Sequence, residues 1–281
     1  MTIVQKIKHY GWIFFQYFSL IFFSFIALLP IVSCVITAFK TEEEYQNTSV
    51  MTLPESWLNF DNFIEAFTKA NMGRAFLNST IILIFVVFGS VMIGSMLAYV
   101  LNRFQFPGNG LIRNLFLFAT LLPGIAMQVS TYQLMYSIGF INHLYGYIIL
   151  SMGTDVIAIY VFIQFFENIS VSLDESAYMD GASYFTIFFK ILFPLLKPAI
   201  VTVMILKGVG TYNEYYNASL YLSSPNLKTV ALSLYTFTGP LGNKYNLICA
   251  GVIISLIPAL IVFLIFQKQV YSGLTSGAVK G

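Results

Sequence analysis

The sequence predicts an all-α, polytopic membrane protein with six transmembrane helices, and two observations lead to that fold class. Of the 281 residues, 58% are apolar and only 9% are charged, whereas soluble domains carry about 25% charged residues. Apolar stretches of about 20 residues, long enough to cross a hydrocarbon core of roughly 30 Å, recur along the chain. The net charge of +2 gives no reason to expect nucleic acid as a partner.

Charged residues mark the ends of the first two spans. No Asp, Glu, Lys or Arg lies between Lys8 and Lys40, which predicts a first helix near residues 12–38. The basic N-terminus begins like a signal peptide, but the apolar run is longer than the roughly 7–15 residues of a signal core, so we expect this helix to be retained. The acidic stretch 39–72 is predicted to be an aqueous loop, followed by a second span near 76–101.

Four more spans are predicted after a tight turn at residues 104–113, which is rich in proline and glycine. From this turn to Asp155 no charged residue occurs, which is too long for one helix, and glycines and polar residues at 139–146 offer a break. The predicted spans are near 114–136, 146–166, 198–218 and 246–267. The whole chain, 1–281, is expected to form a single transmembrane domain with a small C-terminal tail at 268–281.

An even number of spans places both termini on one side of the membrane, which is predicted to be the cytoplasmic side of the cell membrane. In that orientation eight Lys and Arg residues lie inside and five outside, as the positive-inside rule favours. The inside set is Lys6, Lys8, Arg103, Arg113, Lys190, Lys197, Lys268 and Lys280. The outside set is Lys40, Lys69, Arg74, Lys228 and Lys244, and Lys207 lies within a span.

The most informative segment is a polar hook at residues 172–197, between the fourth and fifth predicted spans. Ser172 and Glu175 have the spacing of a capping box, in which each side chain bonds a backbone N–H of the first turn. A short helix is therefore predicted from Leu173 to Asp180. Gly181, which can adopt a positive φ, is expected to end this helix.

A second short helix is predicted directly after this bend. Ser183 can cap it, and the helical pattern runs from Tyr184 to Leu192. Pro194 and Pro198 are expected to limit this helix and to prepare the turn into the fifth span. The hook is thus expected to project from the cytoplasmic face, although an amphipathic connector that rests in the headgroup region is an equally good interpretation on physical grounds alone.

The hook agrees with a known pattern at Glu175, Ala177, Asp180, Gly181, Ala182 and Pro194. At this spacing it resembles the EAA loop of permease subunits from binding-protein-dependent ABC importers. Ser176 stands in place of the middle alanine of that loop, and Phe193 in place of the leucine before its proline. The resemblance covers essentially the whole chain, including the six spans and the position of the hook.

The C-terminal segment carries a second resemblance. Residues 273–281, GLTSGAVKG, are similar to the ending of the MalG-like sugar permeases, the subfamily that carries oligosaccharides and related polyols. A glycine-rich tail by itself is typical of a frayed terminus. Contact of this tail with a partner, through Ser276 and Gly277, is therefore implied by the resemblance alone.

The resemblance also implies the partners and the source of energy. The sequence has no G-x-x-x-x-G-K-[ST] phosphate-binding loop, so no cofactor is expected in this chain, and ATP with Mg²⁺ is expected in a partner ATPase dimer. The other implied partners are a second permease, an extracytoplasmic solute-binding protein and a carbohydrate. Closure of the ATPase would move the hook and the helices as rigid bodies. The hook residues implied in docking are Glu175, Ala177, Asp180, Gly181 and Ala182.

Polar residues in the spans are candidates for the transport pathway, because charge at membrane depth is costly. Lys207 and Glu214 lie on one face of the fifth span about two turns apart, too far for a direct pair unless both side chains extend, and Asp155 lies in the fourth span. Aromatic, amide and carboxylate groups suit sugars, although tyrosine is also common at membrane interfaces. The saccharide-contact candidates are Tyr212, Asn213, Glu214 and Asn217, with Gln128 and Tyr132 beyond a kink at Pro123–Gly124.

Two other classes of protein compete with this interpretation. An ion-coupled secondary transporter would use the buried Lys207, Glu214 or Asp155, but such carriers usually show more spans and a repeated half. A membrane enzyme is disfavoured because the sequence has no HExxH or G-x-S-x-G motif and its two histidines lie far apart; no catalytic residue or metal is predicted. Cys34 and Cys249 lie in apolar runs and are expected to be packing residues rather than a disulfide or ligands.

Overall fold

The structure, a computed structural model, describes residues 3–153, 155–239 and 242–278, with side chains described from residue 9 to residue 268 within these ranges. Most of these residues are helical and no strand occurs among them, which confirms the all-α prediction. In chain order the helices are α1 (Ile3–Phe39), α2 (Glu42–Asn47), α3 (Asp61–Lys69), α4 (Met72–Arg103), α5 (Asn109–Leu121), α6 (Gly124–Ser137), α7 (Leu144–Met152), α8 (Val156–Phe166), α9 (Ser172–Met179), α10 (Tyr184–Leu195), α11 (Lys197–Asn213), α12 (Tyr216–Tyr221), α13 (Val230–Ser233) and α14 (Tyr245–Ala278).

Within the described residues, three helices are long and apolar enough to cross a membrane by themselves. They are His9–Phe39 within α1, all of α4, and Tyr245–Lys268 within α14. By length and composition, three bent helix pairs raise the total to as many as six if each pair is one span: α5 with α6, α7 with α8, and α10 with α11. The apolar runs predicted from the sequence are therefore helical, and the number of crossings stays a prediction.

The predicted third span, residues 114–136, is not one helix. α5 and α6 are bent by 103° at the break between them. Pro123 lacks a backbone N–H and disfavours a helical conformation at the residue before it, and Leu122 is accordingly extended, with φ −75° and ψ 126°. α5 has 13 residues, so at about 1.5 Å per residue it is roughly 20 Å long, too short to cross a hydrocarbon core by itself.

The described residues form two compact units, of which the first comprises residues up to 70 and residues 234–258. The stretch 39–72, predicted to be an aqueous loop, contains two short helices in this unit, α2 and α3, which were not predicted. A capping box begins α2: the Thr41 hydroxyl accepts from the N–H of Glu44 at 3.1 Å, and the Glu44 carboxylate accepts from the N–H of Thr41 at 3.4 Å. The pair satisfies N–H groups that the first turn of α2 leaves free.

Buried polar side chains hold the first unit together at the end of α1. Lys40 is fully buried, and its Nζ donates to the carbonyl of Ser49 at 2.7 Å and to the hydroxyl of Thr48 at 2.9 Å. The side-chain amide of Asn62 donates to the carbonyls of Ala38 at 2.8 Å and Lys40 at 2.7 Å. These bonds satisfy carbonyl groups that the end of a helix leaves without partners.

The two cysteines lie together in the first unit although they are far apart in sequence. The thiol of Cys34 donates to the carbonyl oxygen of Cys249 at 3.7 Å, and both cysteines are free. Their arrangement agrees with the predicted role as packing residues.

The second unit comprises residues 71–233 and those from 259 onward, and α4 is its central helix. α4 packs against α7, α8 and α11. Gly94 permits the close approach of α8, because a Cβ placed on it would lie 3.2 Å from the Cβ of Ala158. The core between α4 and α8 continues into the hook, where Ala177, Phe188 and Leu192 are buried.

Candidate functional site

The first hook helix, α9, forms as predicted, but its predicted cap does not. α9 begins at Ser172, and no side chain caps its N-terminus. The preceding turn is already helical, since the carbonyl of Val171 accepts from the N–H groups of Asp174 and Glu175. The hydroxyl of Ser172 lies 2.7 Å from that of Ser170, so the predicted capping box with Glu175 is wrong and the Glu175 side chain is exposed.

The bend at the end of α9 matches the prediction. Gly181 has φ +84°, a conformation that other residues adopt only with strain. The N–H of Ala182 donates to the carbonyl of Ala177 and that of Gly181 donates to the carbonyl of Tyr178, each at 3.0 Å. These two bonds make a Schellman motif, which fixes the direction in which the chain leaves α9.

The second hook helix, α10, begins at the predicted cap and ends later than predicted. The Ser183 hydroxyl accepts from the N–H of Thr186 at 3.3 Å. The helix then passes Leu192 and Pro194 and ends at Leu195, because residues Ile187–Leu192 adopt a π-helix that brings Pro194 to the start of a new turn, where no N–H is needed. The 76° turn into α11 follows at Leu196.

The predicted docking residues of the hook separate into an outer and an inner group. Glu175 and Asp180 are exposed, as is Gly181. Ala177 is buried at 8% exposure and Ala182 is half-buried, and both pack against the core of α4, α8 and α10. The two alanines therefore attach the hook to its own chain, whereas only the outer group is free to meet another protein.

The predicted contact residues of the tail belong to the last helix. The backbone of Ser276 and Gly277 lies in α14, which extends to Ala278. Their side chains fall outside the described part of the structure, as do residues 279–281 altogether. Their docking role stays a prediction.

An ion pair that the sequence did not indicate joins the hook to α4. The Nε atom of Arg103, the last residue of α4, lies 3.1 Å from Oδ2 of Asp174 in α9, and the two side chains are only 7% and 14% exposed. Burial raises the pKa of the Asp174 carboxyl, and the charge of Arg103 opposes that rise. No local pattern connects residues so distant in sequence, so only the fold could reveal this contact.

An open cavity of about 610 Å³ lies in the second unit, between α6, α7, α8, α11 and α12. Its walls combine apolar residues with amide, hydroxyl and carboxylate groups. The polar lining residues are Gln128, Thr131, Tyr147, Ser151, Asp155, Lys207, Thr211, Glu214, Tyr216, Asn217 and Tyr221.

Three of the six saccharide-contact candidates line this cavity. The Nε2 of Gln128 donates to Oδ1 of Asn217 at 3.0 Å, and the carboxylate of Glu214 accepts from the N–H of Asn217 at 3.0 Å. Tyr132 does not line the cavity; its ring centroid lies 5.9 Å from that of the buried Tyr221. The structure thus joins candidates from α6 and from the start of α12 into one polar row.

The two remaining candidates, Tyr212 and Asn213, do not line the cavity. Asn213 is exposed, and its amide donates to the carbonyl of Val209 one turn back in α11 at 3.0 Å. Tyr212 is half-buried. Both lie on the last turn of α11, between the lining residues Thr211 and Glu214.

Two charges inside the predicted spans form a pair across the cavity wall. Nζ of Lys207 lies 3.2 Å from Oδ2 of Asp155, while Oδ1 of the same carboxylate accepts from the N–H of Ala158 at 3.2 Å and caps α8. Lys207 therefore pairs with the residue that caps α8 rather than with Glu214 at the end of its own helix. The sequence indicated this pair only indirectly: two apolar segments carry charges of opposite sign.

No group of three or more His, Cys, Asp or Glu side chains that could hold a metal ion occurs among the described residues. The cavity lining offers hydrogen-bonding groups, apolar contacts, the Lys207–Asp155 pair and the carboxylate of Glu214.

Comparison with known proteins identifies the class of membrane protein. Residues 13–275 match the family described as binding-protein-dependent transport system inner membrane component. The chain belongs to this family. It is a permease subunit of an ABC importer, not an enzyme, and ATP hydrolysis resides in a separate subunit.

Several relatives are permeases named for saccharide transport. The permease is 31% identical to the arabinooligosaccharides transport system permease protein AraQ of Halalkalibacterium halodurans, over 92% of this chain and 94% of the relative. It is 30% identical to the maltodextrin transport system permease protein MalD of Streptococcus pneumoniae, over 94% of each chain. The melibiose/raffinose/stachyose import permease protein MelC of Bacillus subtilis is 29% identical, over 90% of this chain and 91% of the relative.

A solved structure shares the fold. A chain from a bacterial ABC transporter involved in the import of the acidic polysaccharide alginate superposes with a TM-score of 0.79, over 95% of this chain and 98% of that chain, at 21% identity.

Proposed function

We propose that this permease moves an oligosaccharide or a related carbohydrate across the cytoplasmic membrane, with six spans and both termini in the cytoplasm. It would act with a second permease, a dimeric ABC ATPase that binds ATP and Mg²⁺, and an extracytoplasmic solute-binding protein. Relatives named for the transport of arabino-oligosaccharides, of maltodextrin and of melibiose, raffinose and stachyose support a saccharide cargo.

The observation that carries the proposal is a hook attached to the helical core on one side and exposed on the other. α9 buries Ala177 toward the core, while Glu175 and Asp180 face outward together with Met179, which is 84% exposed. This helix is anchored to the core and presents an exposed apolar side chain with carboxylates on either side of it. Such a surface is suited to enter a cleft of a partner. We assign that cleft to the ATPase, with Glu175, Asp180 and Gly181 as the contacts.

The polar row in the cavity supports a carbohydrate cargo. Amide groups such as those of Gln128 and Asn217 both donate and accept, as sugar hydroxyls do, and the cavity volume lies within the range of about 300–1,000 Å³ for small-molecule sites. Asp155 and Lys207 neutralise each other. We propose Gln128, Glu214 and Asn217 as cargo contacts.

The proposal is tested by uptake into proteoliposomes that contain this permease, its sister permease and the ATPase, with the solute-binding protein outside. Labelled arabino-oligosaccharides, raffinose and maltodextrin are the cargoes to compare. We expect uptake of one of these classes, dependent on both ATP and the binding protein, and none with this permease alone. Uptake without ATP that a proton or sodium gradient sustains would contradict the proposal and favour a secondary transporter.

A further inference from the structure

The buried ion pair of Arg103 and Asp174 occupies the junction between the hook and the central helix. Arg103 is held on all its other sides: Nη2 donates to the carbonyl of Ile169 at 2.8 Å, Nη1 donates to the side chain of Asn102 at 3.0 Å, and the guanidinium lies 5.7 Å from the ring centroid of Phe166. Its position is therefore fixed relative to both α4 and the end of α8.

The pair is poorly explained as a device for stability alone. Nε of Arg103 and both carboxylate oxygens of Asp174 are buried, and their contact is outside hydrogen-bond geometry. Removing two charges from water costs several kcal/mol, which is recovered only when geometry and further hydrogen bonds are good. Burial accordingly raises the pKa of the Asp174 carboxyl despite the nearby guanidinium. Because the buried pair is costly and lies at the junction of the hook and α4, we look for its role in positioning these two elements.

α4 is suited to pass on a displacement of the hook. It is unbroken over 32 residues, roughly 48 Å at about 1.5 Å per residue. At its other end the amide of Asn78 donates to the carbonyls of Asn226 at 2.8 Å and Lys228 at 3.0 Å, and the hydroxyl of Ser79 accepts from the N–H of Val230 at 2.9 Å. Between its ends α4 packs on α8 and α11, which carry the two charges of the cavity wall.

We propose that Arg103 and Asp174 are positioning residues that transmit movement of α9 to α4, and through α4 to the cavity and to residues 226–230. The inference rests on the proposed docking of the hook on the ATPase. Apolar contacts such as that of Ala177 permit sliding of the hook along the core, whereas separating two buried opposite charges leaves each of them uncompensated and therefore resists it. The pair thus couples the two elements in a way that packing alone does not.

The test measures the number of ATP molecules hydrolysed per saccharide taken up by the reconstituted complex. Asp174→Asn and Arg103→Gln should each raise this ratio by about fivefold or more, the lower end of usual coupling free energies. The double variant should be no worse than Arg103→Gln alone, since Asp174→Asn removes only the interaction that Arg103→Gln also removes. Arg113→Gln is the matched control, because Arg113 forms a more exposed pair with Glu167 at 3.5 Å, and its ratio should equal that of the wild type.

Co-purification of the ATPase with each variant separates this proposal from the proposed function. If wild-type vesicles show no ATP-dependent uptake, the proposed function fails and the ratio has no meaning. If they do, and variants that retain the ATPase keep the wild-type ratio, the role of the pair is refuted while the function stands. Should Asp174→Asn fail to assemble, Arg103→Gln, which also removes one charge of the pair, serves as the test. Failure of every variant to assemble would assign the pair to folding and also refute the proposal.

Discussion

Lys207 shows how one charged side chain is accommodated within an apolar helix. Its ammonium group lies 3.2 Å from the carboxylate of Asp155, and the side chains are 22% and 17% exposed. Charges at membrane depth are usually paired with each other, and removal of one partner leaves the other uncompensated. The pair therefore adds an electrostatic contact to the apolar packing of α8 and α11 at the cavity wall.

We predict that Lys207→Met lowers the thermal stability of the detergent-solubilised complex, because it leaves the Asp155 carboxylate without its cation. Lys244→Met is the matched control. Lys244 pairs with Glu42 at the same distance of 3.2 Å, but both side chains are about half exposed, and exposed pairs contribute only about 0–1 kcal/mol. Equal melting temperatures for the two variants would contradict the importance of the inner pair, and Asp155→Asn in the Lys207→Met background should recover part of the loss.

The polar row in the cavity leads to a second prediction at this scale. Gln128→Leu keeps the side-chain size and removes both the donor to Asn217 and the groups proposed for saccharide contact. A lost hydrogen bond of about 1 kcal/mol corresponds to roughly fivefold, so we expect a drop of that size in the initial uptake rate at saturating binding protein. Gln133→Leu, in the same helix but exposed and outside the cavity lining, should not change the rate; an equal effect of both variants would argue against a cargo contact.

At the scale of single elements, the hook depends on the conformation of one glycine. Gly181 has φ +84°, and a Cβ placed on it would meet no atom within 4 Å. A side chain there causes backbone strain of about 1–2 kcal/mol, while its Cβ has open space around it. An effect larger than that of an equally strained glycine elsewhere in the chain would point to a partner that approaches the hook.

We therefore predict that Gly181→Trp uncouples ATP hydrolysis from uptake while the permease remains in the membrane. The matched control is Gly139→Trp, because Gly139 has a similar φ of +73° and an equally open Cβ position, but lies in the turn between α6 and α7. Its strain should match that of the hook variant, and its uptake should equal the wild type. Normal uptake by Gly181→Trp would remove the hook from the coupling mechanism.

Capping boxes illustrate what sequence could and could not predict about the elements. Thr41 with Glu44 and Ser172 with Glu175 have the same spacing, yet only the first pair forms the box. The difference lies in the preceding residues, since the chain before Ser172 already turns helically and Ser170 takes the hydroxyl contact. A local pattern thus predicts the existence of a helix better than the partners of its side chains.

The candidate site shows the same limit. The bend at Gly181 and the cap at Ser183 depend on adjacent residues and could be predicted. The pairs of Arg103 with Asp174 and of Asp155 with Lys207 join helices distant in sequence, and helical periodicity alone does not specify which helices become neighbours. The inward direction of Ala177 likewise depends on where the core lies.

At the scale of the whole molecule, the second unit contains both the proposed docking element and the proposed cargo cavity. α4 passes beside the cavity wall and ends at the hook. In the proposed mechanism, coupling between the ATPase and the cargo therefore needs no relay outside this unit. Movement of the hook would reach the charged wall formed by α8 and α11 through α4.

The Asp155–Lys207 pair also has a consequence for biogenesis. Asp155 lies in the fourth predicted span, at the residue that caps α8, and is synthesised before Lys207, so its charge enters the membrane segment before its partner does, which is costly. We expect the nascent chain to keep α8 beside the translocon, or beside another protein, until α11 arrives with the counter-charge. The order of synthesis then makes these two helices one insertion unit. A ribosome pause between them would prolong the time during which Asp155 has no counter-charge and would expose the chain to quality control.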